Sequence, residues 1–183
     1  MALVDHRNGP GDSVVDVVTE PDPPDLHWPR YSTRPFPLYR FVPGRTPHPR
    51  RDPIGHSYGL PEPKPTPFSA DQWQTSEDYR YGIDLYNFAY WWECHEIFEG
   101  LWHAAGRDTE QGSFFQAIIQ LAAANLKCFM GHDAARRNLL QRCARRLSGL
   151  PEHYMGVNVT DLRSKLPSSL TVNHTYQLCL KLK

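Results

Sequence analysis

Proline sets the first limit on how this chain can fold. Fifteen of its 17 prolines precede residue 68, and only Pro151 and Pro167 follow. Each proline fixes φ, removes a backbone donor and pushes the residue before it out of the α region. The first third of the chain therefore cannot hold a helix of any length, and a helical domain has to be built from the remainder. Two compositions divide that first third. Residues 1–35 carry Pro10, Pro21, Pro23, Pro24 and Pro29 among several acids and few aromatics. Such a stretch buries too little surface to offset the entropy of ordering, which predicts disorder. Residues 36–67 add Phe36, Leu38, Tyr39, Phe41, Val42, Ile54, Tyr58 and Leu60 between the prolines. This pattern predicts an extended arm laid over a helical surface, bringing His48, His56, Arg50, Arg51 and Asp52 with it.

Helical signals begin near residue 70 and define a domain over residues 68–166. Ser69 and Thr75 each open an N-terminal capping pattern, and Tyr79, Ile83 and Tyr86 recur at helical spacing. The richest stretch, residues 86–103, holds three of the five tryptophans together with His95, Glu96, Glu99 and His103. Read as a helix from about residue 90 to 104 and closed by Gly106, it turns Trp91, Cys94, Ile97, Phe98, Leu101 and Trp102 toward a core. His95 and Glu99 fall one turn apart at the edge of that face, and Glu93 and Glu96 point further away. Whether the preceding helix runs through residues 87–89 or breaks there into a hairpin stays open. A third helix follows Gly112, with Phe115, Ile118, Ile119, Ala122, Leu126 and Phe129 inward and Gln116, Gln120 and Lys127 outward. A fourth runs from Asp133 to about Ser148; its five arginines encircle more than one face, which favours solvation over an anion site. Beyond Pro151, a short extended piece and at most a short helix over residues 161–166 are expected, and residues 167–183 give no firm pattern. The fold class is all-α: four to five helices in antiparallel hairpins, with the proline-rich arm across them.

Composition narrows the function classes. Lys plus Arg and Asp plus Glu are 20 each, which leaves no electrostatic footprint for nucleic acid. No apolar run is long enough to span a bilayer, and the start shows no signal-peptide core. The four cysteines lack any C-x-x-C spacing and read as reduced thiols. A cytoplasmic protein is the expectation.

The candidate chemistry gathers around His95. His95 and Glu99 at one-turn spacing suit two ligands of a divalent metal, with His103 or an arm histidine such as His56 as a third and Glu96 or Glu93 as a general base on bound water. His95, Glu96 and Glu99 are the candidate catalytic groups of a metal-dependent hydrolase. Asn87, Trp91, Trp102, Gln116, Gln120, His48 and His56 are the candidate ligand-binding residues of a small-molecule or peptide pocket. A third reading makes the same residues structural, tying helices together in a module that self-associates or binds another protein. Whether the chain is an enzyme stays open, as does any cofactor beyond a divalent metal.

The residues also resemble a known family. Asp84 and Asn87 in Asp-Leu-Tyr-Asn, then His95, Glu96, Glu99 and Trp102 in His-Glu-x-x-Glu-x-x-Trp, then Phe115 and Gln120 in Phe-Gln-x-x-Ile-Gln and Gly131 with Ala135, are similar to the family called domain of unknown function 309. The runs with Pro47, His48 and Pro49 and with Gly55, His56, Ser57 and Tyr58 resemble the N-terminal extension of its longer members. The likeness covers about residues 38–166. Ala117 and Ala89 stand where the family has glycine. The resemblance implies antiparallel helical hairpins and no particular activity.

Overall fold

A computed structural model describes residues 18–62, 64–171 and 178–183, the side chains of 167–171 excepted. The expectation of disorder for residues 1–17 therefore lies outside the described residues, as do residues 172–177 of the tail. A short 3-10 helix, Ala70–Thr75, leads into α1 (Glu77–Asn87), α2 (Trp91–Ala105), α3 (Glu110–Phe129) and α4 (Asp133–Leu147). A two-stranded hairpin follows, β1 (His153–Tyr154) and β2 (Val157–Asn158), and then α5 (Val159–Thr171). The all-helical hairpin architecture is borne out: each of the four main helices packs on the next, most extensively α2 on α3 and α3 on α4. Among the described residues, no helix is long and apolar enough to cross a membrane.

Local chemistry explains the boundaries. Ser76 caps α1 by accepting from the Tyr79 N–H, and Thr109 caps α3 by accepting from the Gly112 N–H. The Thr109 cap starts α3 earlier than the Gly112 start expected from sequence. Between α1 and α2 the chain breaks: Ala89 takes φ 65, a left-handed value, and Tyr90 is the N-cap of α2. The open question at residues 87–89 thus resolves as a hairpin. Gly106 ends α2 with φ 91. Its carbonyl oxygen would lie 2.1 Å from a Cβ at position 112, so Gly112 is the residue that lets α3 approach the end of α2. α5 is longer than the short helix expected over residues 161–166. The extended piece before it is the β1–β2 hairpin, where Gly156 leaves room for Trp73; a Cβ there would sit 2.6 Å from the ring.

The core is aromatic. Phe98 is fully buried against Tyr79 and Phe115, with ring centroids 6.0 and 5.7 Å away. Trp91, Cys94, Ile97 and Leu101 join it, as the helical phase of α2 predicts. Trp102 does not: it is half-buried, with Arg107 over its ring at 5.0 Å and His103 beside it. Burial pushes the Cys143 thiol up to about 12 and raises Cys94 well above its usual value, consistent with unreactive core thiols.

Residues 18–62 form no helix or strand, as the prolines require. Their anchors are only partly those expected. Phe36, Phe41 and Val42 pack on the helices, whereas Leu38, Ile54, Tyr58 and Leu60 are exposed, Leu38 by 92%. The difference follows from attachment: polar bonds from both backbone and polar side chains hold this segment, leaving several apolar side chains facing solvent.

Candidate functional site

A chain without regular structure has no ladder to satisfy its own N–H and C=O groups, so something else must supply partners wherever it is buried. Here the helices supply them with side chains. Carbonyls of the arm accept from tyrosine hydroxyls: Tyr81 of α1 donates to Pro35, the α2 cap Tyr90 to Pro37, and, within the arm itself, Tyr39 to Pro47. The amides are met by carboxylates. Asp84 is fully buried in α1 and accepts from the Tyr31 N–H at 2.8 Å, the Ser32 N–H at 2.9 Å and the Arg30 guanidinium at 2.8 Å. Residues 30–32, expected within a disordered segment, are thus ordered around one carboxylate. Glu93 of α2 accepts from the Phe41 N–H at 2.9 Å and from His56 at 3.0 Å. Asn87 does the same for the C-terminal end. It accepts from the Leu180 N–H at 2.7 Å and donates to the Leu180 carbonyl at 2.8 Å.

Glu93 overturns one expectation. The helical wheel turns it away from the core stripe, yet it is only 6% exposed, because the arm covers that side of α2. Its Oε1 makes both bonds just described, and its Oε2 is buried with no partner among the described residues. The His56 side chain is equally buried, 6% exposed. Since a carboxylate can only accept, the His56 Nε2 must carry its proton toward Glu93, and in the neutral ring Nδ1 accepts from the Ser57 hydroxyl at 2.8 Å. The order is hydroxyl, imidazole, carboxylate, which is the order that polarises a hydroxyl for proton transfer.

These groups line a cleft of about 220 Å³ between the arm and α2. Arg34, paired with Asp78 at 2.9 Å, and Arg50 bring guanidiniums to it, and Tyr81, Trp92 and Ile97 provide its apolar wall. Arg50 also lies 3.4 Å from Glu96, which closes the cleft's edge. His48 sits against Phe41 and Trp92, with ring centroids 5.0 and 5.6 Å away, and its Nδ1 accepts from the Arg50 N–H; it buttresses the wall through Trp92.

The remaining predicted residues are dispersed over the fold. His95, Glu96 and Glu99 come together on the half-exposed side of α2, where one ligand atom from each lies within 4.8 Å of the others. His95 Nε2 is 3.6 Å from Glu99, and His95 Nδ1 is buried without a hydrogen bond. Gln116 and Gln120 lie apart from this cluster, in a groove between α3 and α4. Trp91 is buried in the core, Trp102 lies at its margin, and Asn87 is occupied by Leu180. So His56 does reach a carboxylate of α2, but that carboxylate is Glu93; neither His95 nor Glu99 is its partner. Sequence reasoning also left Ser57 and Arg34 out of the candidate site. The adjacency of Ser57 to His56 was the one available signal for the hydroxyl.

Such an arrangement defines a helical-hairpin domain whose polar residues receive an irregular arm. Residues 79–139 match the family model described as a domain of unknown function, DUF309, so the resemblance read from Asp84, Asn87 and the His-Glu-x-x-Glu-x-x-Trp pattern is borne out over that span. The match runs from α1 into α4; the arm lies outside it. No curated protein matches the chain.

Proposed function

We propose that the cleft between the arm and α2 binds a small organic ligand carrying an anionic group. The observation that carries this reading is the unpartnered Oε2 of Glu93, a buried acceptor in a cleft that also presents two guanidiniums, an imidazole and a hydroxyl. A buried carboxylate oxygen without a donor is costly, and a ligand N–H or O–H relieves that cost. Arg34 and Arg50 suit a carboxylate or phosphate on the same molecule. Ser57, polarised through His56 and Glu93, is the group from which chemistry on the ligand would start.

The test is ligand-dependent melting against a panel of small hydroxy- and amino-carboxylates and phosphate esters. A compound that raises the midpoint of the natural protein should lose that effect in Arg50→Ala, and in Ser57→Ala lose it or bind without turnover. Hits that survive both substitutions place binding elsewhere and refute the reading.

The cluster of His95, Glu96 and Glu99 favours a second reading, a divalent cation on the outer side of α2. One imidazole and two carboxylates suit Zn²⁺ or Mn²⁺ with open positions for water, which is the donor set of a metal-dependent hydrolase. The chain's own contribution would be to fix three ligand atoms on one helix, with Arg50 drawing Glu96 toward the cleft. The same melting assay with Zn²⁺ decides it: stabilisation lost in His95→Ala and Glu99→Gln supports the site, and stabilisation unchanged in both rejects it.

A further inference from the structure

The groove between α3 and α4 is lined by Gln116, Gln120, Arg142, Arg145 and Arg146, and encloses about 520 Å³. The spacing explains the convergence. Positions 142, 145 and 146 share one face of α4, and positions 116 and 120 lie one turn apart on α3. The arginines of α4 encircle the helix as a set, yet the packing of α4 on α3 gathers these three beside the two glutamines.

Two features distinguish the groove from an ordinary solvated helix face. The first is charge without compensation. After Asp133, α4 carries no acid through Leu147, and α3 offers glutamines where carboxylates would have neutralised the arginines. Among the described residues no ion pair involves Arg142, Arg145 or Arg146, whereas Arg136 on the same helix lies 3.7 Å from Asp133. Like charges gathered on one face repel and raise the local positive potential. The second is an unmet hydrogen-bonding demand. Gln116 and Gln120 each have a buried side-chain oxygen without a partner. The oxygen and nitrogen of an amide exchange places by a half-turn of the group, so each glutamine can present a donor edge instead.

We infer that this groove binds an oligophosphate, two or more linked phosphoryl groups either free or esterified. Three guanidiniums exceed what one phosphate needs, each can bond phosphate oxygens in a bidentate manner, and the glutamine amides add neutral donors at the floor. The site shares no residue with the arm–α2 cleft, so its success or failure is independent of the function proposed above.

The experiment titrates the full chain with inorganic pyrophosphate and, separately, adenosine diphosphate, by calorimetry at about 0.15 M salt, where long-range attraction is screened. Saturable one-to-one binding of pyrophosphate is expected. Arg142→Ala and Arg145→Ala should each weaken it on the order of tenfold, the loss of one charge-assisted contact. Arg137→Ala, an exposed arginine of α4 outside the groove, should leave it unchanged. Melting of each variant verifies that it folds. Tighter binding of adenosine diphosphate would assign the esterified source and tighter pyrophosphate the free anion; both uphold the site. Absence of saturable binding, an equal loss in Arg137→Ala, or binding confined to long polyanions such as heparin would overturn it.

Discussion

Replacing Asp84 with alanine should destabilise the protein by about 3–5 kcal/mol, the range for removing one partner of a buried ionic group. The carboxylate is fully buried and holds two backbone amides and a guanidinium. Arg30 is 32% exposed along its side chain, so it can turn to water and contributes the smaller part. The buried Ser32 amide has no such exit and left unpaired costs about 1–3 kcal/mol, and the part-buried Tyr31 amide adds to it. Arg30 would also lose its seat over the Phe36 ring, at 3.9 Å. Urea unfolding reads both consequences. The midpoint should fall, and the slope should fall with it if the arm leaves the helices in the native state, since less surface then remains to be exposed. A loss under about 1 kcal/mol with an unchanged slope would show that Asp84 does not organise the arm.

Phe98→Ala should cost a similar amount, about 3–5 kcal/mol, for a different reason: a cavity at the meeting point of α1, α2 and α3. Phe98 is fully buried, and a Cβ at Gly82 would stand 2.7 Å from its ring. That contact makes the prediction specific. Gly82→Ala alone overpacks the core and should cost about 1–3 kcal/mol. In the Phe98→Ala background the ring is gone, and the same change should be neutral or favourable, because alanine is the better helix former by about 1 kcal/mol. Additive losses would mean that residue 82 does not face Phe98.

What the sequence made legible was whatever a helical period or a proline can encode. The buried arc of α2 from Trp91 to Leu101, the stop at Gly106 and the absence of helix from the first third all follow from local rules. The sites depended on contacts between distant segments, and those have no local signature. Glu93 looks solvent-facing on a helical wheel because periodicity reports one packing surface, and the arm creates a second. Asn87 looks like a ligand residue at a helix end, but its partner, Leu180, is 93 positions away. Leu38, Ile54 and Leu60 suggested anchors through hydrophobicity alone, whereas much of the arm is held through carbonyls, amides and polar side chains that hydropathy does not register. The family resemblance identified Asp84 and Asn87 as signature positions without indicating that both serve chain segments outside the matched span.

The same geometry changes what is expected of the histidines. A shared site for His56 and His95 predicts coupling between them; with Glu93 as the partner of His56, the His56→Ala and His95→Ala effects should add. The polar side chains of α1 and α2 hold the arm in place and so form the cleft. A double-mutant cycle on His56 and Glu93, with His56→Ala, Glu93→Gln and the pair compared by urea unfolding, tests it most directly. A coupling of about 1–3 kcal/mol is the predicted result for two buried groups in one hydrogen-bonded chain. Additivity within about 0.5 kcal/mol would contradict it, since His56 and Glu93 would then not meet and the cleft between arm and helix would not be built as described.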